Sequence, residues 1–108
     1  MALTRHFRET VQVRAQSDAC FRRALLEEAV NEILAGELAT GKALLRDYVN
    51  ATLGFEKLAG AVGKSEKSLQ RMLGPSGNPT AENLIAILVV LQEHESVQFK
   101  VKLKKDAA

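Results

Sequence analysis

The sequence predicts an all-α fold in a single domain, followed by one extended segment at its end. Apolar residues recur every three or four positions through most of the chain, as they do along one face of a helix. Only residues 97–104 show a strict period of two. The chain has 108 residues, 46% of them hydrophobic and 26% charged, which is an ordinary composition and length for one hydrophobic core.

Two helices are predicted before residue 36. Leu3, Phe7 and Val11 have helical spacing, and we favour a helix there over the weak strand-like alternation of residues 10–14. Residues 18–35 form the second helix, because their apolar residues fall within one arc of a helical wheel. That apolar arc consists of Leu25, Leu26, Ala29, Val30, Ile33 and Leu34.

The third helix is predicted over residues 40–52 and is closed by Gly54. It is separated from the second helix by Gly36, a residue typical of helix ends. Ser17 is the expected N-cap of the second helix, because a serine hydroxyl can accept from an unsatisfied N–H group of the first turn. The stripe of the third helix comprises Leu44, Leu45, Tyr48, Val49 and Thr52.

Two short helices follow. The first covers residues 55–62 and stops at Gly63, a residue suited to the positive φ of a sharp turn. The second covers residues 66–73, with Ser65 as its N-cap and Gly74 just beyond its end.

A last helix is predicted from about Thr80 to Glu93, after a turn at residues 76–79. It is apolar nearly all round, which is typical of a helix that is central to the core or covered by a partner.

The chain ends in a segment that alternates between apolar and basic residues. This pattern predicts a strand with one apolar and one basic face. A lone strand cannot satisfy its backbone hydrogen bonds, so it needs either the N-terminal segment or another chain as its partner. We expect another chain, and hence a homodimer; a frayed tail is the alternative. The predicted dimer contacts are Val97, Phe99, Val101 and Leu103.

Residues 55–73 read as helix, tight turn, helix, with small Ala59 where the two helices approach each other. This is the layout of a helix-turn-helix, whose second helix enters the major groove of DNA. Helical hairpins with a glycine turn also occur in proteins that never bind DNA, and a basic helix face can simply be solvated. The residues that we predict to contact DNA are Lys64, Ser65, Glu66, Lys67, Ser68, Gln70 and Arg71.

Three short motifs resemble a known family. They are Leu58-Ala59-x-x-x-Gly63, Ser68-Leu69-x-Arg71-x-Leu73 and Gly77-Asn78-Pro79-Thr80. Together they resemble the addiction-module antidote proteins, HigA-like antitoxins of the Xre, or phage-repressor, helix-turn-helix class. The resemblance covers about residues 43–91. It implies a five-helix phage-repressor-like core, a homodimer on a two-fold symmetric operator, repression of the protein's own operon, and a partner toxin of the RelE/HigB ribonuclease type.

The resemblance also implies roles for individual residues. Glu66, Lys67 and Arg71 stand at the positions that face bases in this class, and Ser65 and Ser68 at positions that meet phosphates or pack nearby. Arginine can bind guanine N7 and O6, and glutamate can accept from cytosine N4.

The sequence departs from that class in two places. Phe55 replaces a glutamine that often grips a phosphate, so positioning contacts must come from Lys57, Lys64 or elsewhere. The N-terminal segment of about forty residues is only partly present in the short antidote proteins, and two roles are open for it, a dimer surface and a toxin surface. We therefore divide the one domain into an N-terminal helical extension (1–39), a DNA-binding core (40–95) and a C-terminal strand with a basic tail (96–108).

Charge is distributed unevenly although the formal net charge is only +2. Residues 18–37 carry five acidic and two basic residues, a net charge of −3, whereas residues 98–108 carry four lysines and one aspartate, a net charge of +3. The basic face of the end segment either touches DNA phosphates or keeps an exposed strand edge soluble.

Other classes of protein have little support in the sequence. The single Cys20 cannot form an internal disulfide, which favours a cytoplasmic setting. His6 and His94 lie far apart, no nucleophile motif or glycine-rich phosphate loop is present, and we expect neither an enzyme nor a metal or other cofactor. Two alternative functions stay open: a helical interaction module that mainly masks a toxin, and a prophage-type repressor without a toxin.

Overall fold

The fold is all-α, as predicted. A computed structural model describes residues 5–106, and this part of the chain contains six helices and no strand. No helix within it is long and apolar enough to cross a membrane. The helices are α1 (Arg5–Ser17), α2 (Ala19–Leu34), α3 (Leu38–Ala51), α4 (Gly54–Val62), α5 (Glu66–Met72) and α6 (Ala81–Glu95).

Polar side chains cap the helices close to the predicted positions. The hydroxyls of Ser65 and Thr80 each accept a backbone N–H, from Ser68 and Asn83, at 3.1 Å. The prediction for α2 is wrong by one residue. Asp18 is its N-cap, with Oδ1 accepting from the Phe21 N–H at 3.0 Å, and Ser17 is the last residue of α1. Both residue types cap well, so their order in the chain could not decide between them.

Helix α3 is the centre of the packing. It lies against α2, α1 and α4. The approach to α2 is close at Gly41, where an added Cβ would lie 2.4 Å from Ile33 Cγ1 and 2.9 Å from the Ala29 carbonyl oxygen. The core side chains that are completely or almost completely buried include Leu26, Leu45, Tyr48, Val49, Leu58, Leu69, Leu73, Ile87 and Leu91.

A buried carboxylate joins three helices at the end of α6. Glu95 is 5% exposed and accepts hydrogen bonds from Tyr48 Oη at 2.5 Å and from Arg22 Nε at 2.6 Å. Burial alone raises the pKa of Glu95, but the hydrogen bonds from Arg22 and Tyr48 outweigh burial and hold this pKa below its usual range. The pKa of Tyr48 is raised, first by its own burial and then by its hydrogen bond to Glu95.

The predicted C-terminal strand is not confirmed, because residues 97–106 have no pairing partner among the described residues. The alternative partner, the N-terminal segment, is ruled out as a strand since residues 10–14 lie within α1. The predicted apolar face is split. Val97 and Phe99 are half-buried against the core, whereas Val101 and Leu103 are 80% and 93% exposed.

We expect Glu95→Gln to lower the free energy of unfolding by about 1–3 kcal/mol near pH 7, because the neutral amide loses charge-assisted hydrogen bonds in a buried place. The pKa of Glu95 is lowered in the folded state, so its contribution is present above its ordinary pKa of 4.5 and is lost as the pH falls below that value. Chemical denaturation should therefore show that the difference in the free energy of unfolding between the parent protein and the Glu95→Gln variant becomes smaller below about pH 4.5.

Glu93→Gln is the matched control, since Glu93 is exposed on the same helix. Equal losses of stability for the two variants would contradict the special role of Glu95.

Candidate nucleic-acid interface

The turn between α4 and α5 depends on one glycine. Gly63 has φ = 78°, in the left-handed region, and its N–H donates to the Ala59 carbonyl oxygen at 2.9 Å. The next N–H, of Lys64, reaches the same carbonyl oxygen at 3.2 Å. A side chain at residue 63 would be strained in this conformation, so glycine fits the turn as the sequence predicted.

Helix α5 is anchored to the core by two leucines. Leu69 and Leu73 are both 0% exposed, and Leu69 follows the helix start by one turn. The hydroxyl of Ser65 caps that start, which fixes where α5 begins. The opposite side of this short helix is therefore presented to solvent.

The structure brings the predicted DNA-contacting residues together on this exposed side. Six of the seven are exposed, and Ser68 is half-buried, which favours packing over contact for its side chain. Lys67 and Arg71 are four residues apart and so share one side of the helix. Neither of these two forms an ion pair with another described residue, while Glu66 Oε1 accepts from Gln70 Nε2 at 3.4 Å. The exposed six are Lys64, Ser65, Glu66, Lys67, Gln70 and Arg71.

The residues flanking this surface fit the expectation that Phe55 makes no phosphate contact and that nearby lysines are available for one. Phe55 is 6% exposed and belongs to the core. Lys57 on α4 and Lys64 in the turn are both exposed, so both are free to meet a phosphate beside α5.

Helix α3 holds the C-terminal end of α5 through two basic side chains. Lys42 is only 4% exposed, and its Nζ donates to the carbonyl oxygens of Gly74 at 3.0 Å and Gly77 at 2.5 Å. Arg46 donates from a terminal guanidinium nitrogen to the Leu73 carbonyl oxygen at 2.5 Å. The last carbonyls of a helix lack partners within it and carry partial negative charge, so cations suit this position.

The turn after α5 folds back tightly onto the same helix end. An added Cβ at Gly77 would lie 1.9 Å from the Arg71 carbonyl oxygen and 2.7 Å from that of Met72. These are backbone atoms that cannot move aside. Glycine is therefore required at residue 77, where the turn packs directly against the backbone carbonyls of Arg71 and Met72.

Sequence reasoning missed Lys42 and Arg46. Lys42 lies three and seven residues before Leu45 and Val49, which places a lysine on the apolar side of α3. A charged residue within an apolar stripe was the signal, because such a residue is buried only when it has partners. Its partners are two backbone carbonyls 32 and 35 residues away along the chain. Every residue has a backbone carbonyl, so the residue types alone do not identify these two as the acceptors.

A comparison of the chain with protein-family models, with curated proteins and with solved structures finds no match. Among residues 5–106, no group of three or more histidine, cysteine, aspartate or glutamate side chains is placed to hold a metal ion.

We expect Lys42→Met to lower the free energy of unfolding by roughly 2–3 kcal/mol, since it leaves two carbonyls of the turn after α5 without their charged donor. Chemical denaturation followed by circular dichroism measures this loss. Lys57→Met is the control, because Lys57 is exposed and should change stability by less than about 0.5 kcal/mol. A Lys42 variant as stable as the control would show that the two hydrogen bonds do not hold the turn.

Proposed function

We propose that this protein is a sequence-specific transcriptional regulator that binds double-stranded DNA through a helix-turn-helix formed by α4 and α5. One observation carries the proposal. A short helix, fixed from behind by Leu69 and Leu73, presents Lys67 and Arg71 to solvent without an ion-pair partner among the described residues. A packed helix with an exposed cationic side suits the major groove, which admits one α-helix.

Each exposed side chain of α5 has a matching chemistry in DNA. Arg71 can donate two hydrogen bonds to guanine N7 and O6, and Gln70 can pair with adenine N6 and N7. Glu66 can accept from cytosine N4, although a carboxylate at this place also offsets the partial positive charge of the helix start. Lys57 and Lys64 supply phosphate contacts, which position the protein without reading sequence.

The protein acts as a homodimer on an operator with two-fold symmetry. Two recognition helices then lie about 34 Å apart, one turn of B-DNA. The unpaired segment after α6 supplies the dimer contact. The resemblance to HigA-like antitoxins supports a role as the antitoxin of a RelE/HigB-type toxin, in the cytoplasm, with repression of the shared operon.

A second candidate function is supported by α6. Ile85 and Val89 are 59% and 43% exposed and lie four residues apart, so they form a small apolar stripe on the outside of the molecule. Such a stripe suits a protein partner, as expected of a module whose main work is masking a toxin. A plain repressor without a toxin is the third reading, and the neighbouring genes distinguish it.

Selection of bound sequences from a random DNA library tests the main proposal. We expect a palindromic consensus whose half-sites are centred about one helical turn apart. Failure to enrich any sequence, in a protein that is folded by circular dichroism, would favour the interaction module instead.

On the selected operator, we expect Arg71→Ala to cost about 1–3 kcal/mol of binding free energy and to relax the preference at one base pair of each half-site. Lys64→Ala should weaken binding to all sequences alike and reduce the slope of log affinity against log salt by about one. Fluorescence anisotropy at several salt concentrations separates these effects. If both variants lose affinity equally on every sequence, Arg71 does not read a base.

A further inference from the structure

A groove with a volume of about 660 Å³ lies between α2 and the end segment, residues 97–106. On α2, its apolar residues stand at every fourth position and follow one another along the helix for about 12 Å. On the opposite side, Gln92 holds the start of the end segment by accepting hydrogen bonds from the N–H groups of Val97 and Phe99, at 3.0 Å and 2.7 Å. The apolar lining comprises Leu26, Val30, Leu34, Val97, Phe99 and Val101.

The chain itself covers the apolar part of this groove only at its base. Leu26 is 2% exposed and belongs to the core, so the base is formed before any partner binds. Higher up, Leu34 on α2 is 69% exposed and Val101 on the end segment is 80% exposed. Single exposed apolar residues are common on protein surfaces. Two that line the same groove offer a partner a continuous apolar surface to bury.

The charged residues of the groove are mostly basic. Arg23, Lys100 and Lys102 line it, against the one carboxylate of Glu27. Arg23 already lies 3.4 Å from a buried carboxylate, that of Glu95. Lys100 and Lys102 form no ion pair with another described residue. Unpaired lysines beside apolar surface favour an anionic occupant, and they disfavour a second copy of the end segment, which is itself rich in lysine.

Among anionic partners, a polypeptide fits this groove better than DNA or a small ligand. Phosphates would pair with the lysines but would leave Leu34 and Val101 uncovered. A small ligand binds where most of its surface is enclosed, whereas these two apolar residues are open to solvent. A helix with apolar residues on one side and carboxylates beside them satisfies both the apolar and the basic parts, in the way that amphipathic helices bind apolar grooves.

We propose that this groove binds an acidic amphipathic helix of another protein. The apolar side of that helix, with residues spaced three or four apart, covers Leu34 and Val101. Its carboxylates pair with Lys100 and Lys102. No residue of α5 lines the groove, so the proposal does not depend on DNA binding. Val101 also belongs to the homodimer contact proposed above, so the helix and a second copy compete for this residue.

Selection from a displayed peptide library tests the chemistry of the occupant. The library fixes leucine at successive helical turns and randomises all other positions. The parent protein should enrich peptides in which glutamate or aspartate flanks the leucines, and a Lys100→Gln, Lys102→Gln double variant should lose this preference. Enrichment of basic or uncharged flanks, or no enrichment by a protein that is folded by circular dichroism, overturns the proposal.

Fluorescence anisotropy with an enriched acidic peptide measures the contribution of the two lysines. The Lys100→Gln, Lys102→Gln double variant should bind about tenfold more weakly at low salt, and the difference should shrink at high salt because exposed charges are screened. A Lys104→Gln, Lys105→Gln double variant is the matched control. It removes the same charge from the same segment, but neither residue lines the groove, so affinity should fall by less than about twofold.

The same measurement tests the apolar side. Leu34→Gln should weaken binding about five- to tenfold, because the bound helix buries a side chain that is largely exposed in the free protein. Val13→Gln is the control, since Val13 on α1 is similarly exposed and lies outside the groove. It should leave the affinity for the peptide unchanged.

Three results would contradict the assignment of the groove. The first is an equal loss of peptide affinity in the test variants and their controls. The second is a Lys100→Gln, Lys102→Gln protein that binds a DNA duplex less tightly but binds the peptide as the parent does, which assigns these lysines to phosphates. The third is a change in self-association of the Leu34→Gln protein, measured by sedimentation equilibrium, with unchanged peptide affinity, which assigns the groove to a contact between copies.

Discussion

The orientation of α5 depends on the grip of α3 on its C-terminal end. A seven-residue helix is too short to be stable by itself, so packing and end contacts must hold it. Leu69 and Leu73 attach it to the core. Arg46 then donates to the carbonyl oxygen of Leu73 at its end, and Lys42 donates to two carbonyl oxygens of the turn that follows, which joins both to the most central helix of the molecule. The exposed cationic side of α5 therefore depends for its position on the buried Lys42 and the half-buried Arg46.

Much of the fold is readable from the sequence because short-range rules set it. Helical periodicity places all six helices, and the residues that end them, such as Gly63, act through their own backbone preferences. The candidate interface is equally local. Its residues all lie between 64 and 71, with only the buried Leu69 excluded, so one helical wheel and one cap place them. Only Ser68 differs from the rest of the set, since it is half-buried.

The remaining features depend on contacts between distant parts of the chain. Lys42 and Glu95 look misplaced in apolar stripes until their partners are known, and those partners lie 32 to 73 residues away. The end segment shows a further limit. Its alternation predicts a strand, but strand pairing is a property of two segments, and a single chain offers it no second one among residues 5–106. A pattern can give the conformation that a segment favours without giving its partner.

The Glu95 cluster ties the beginning of the chain to its end. Arg22 comes from α2, while Glu95 is the last residue of α6, immediately before the segment that turns away through Ser96 with φ = 57°. A fragment lacking the first forty residues would lose both arginines that bind the Glu95 carboxylate, and the side of α3 around Gly41 would be exposed to solvent. The helices that precede α4 and α5 therefore belong to the same packed unit as these two helices, and the chain does not divide between them.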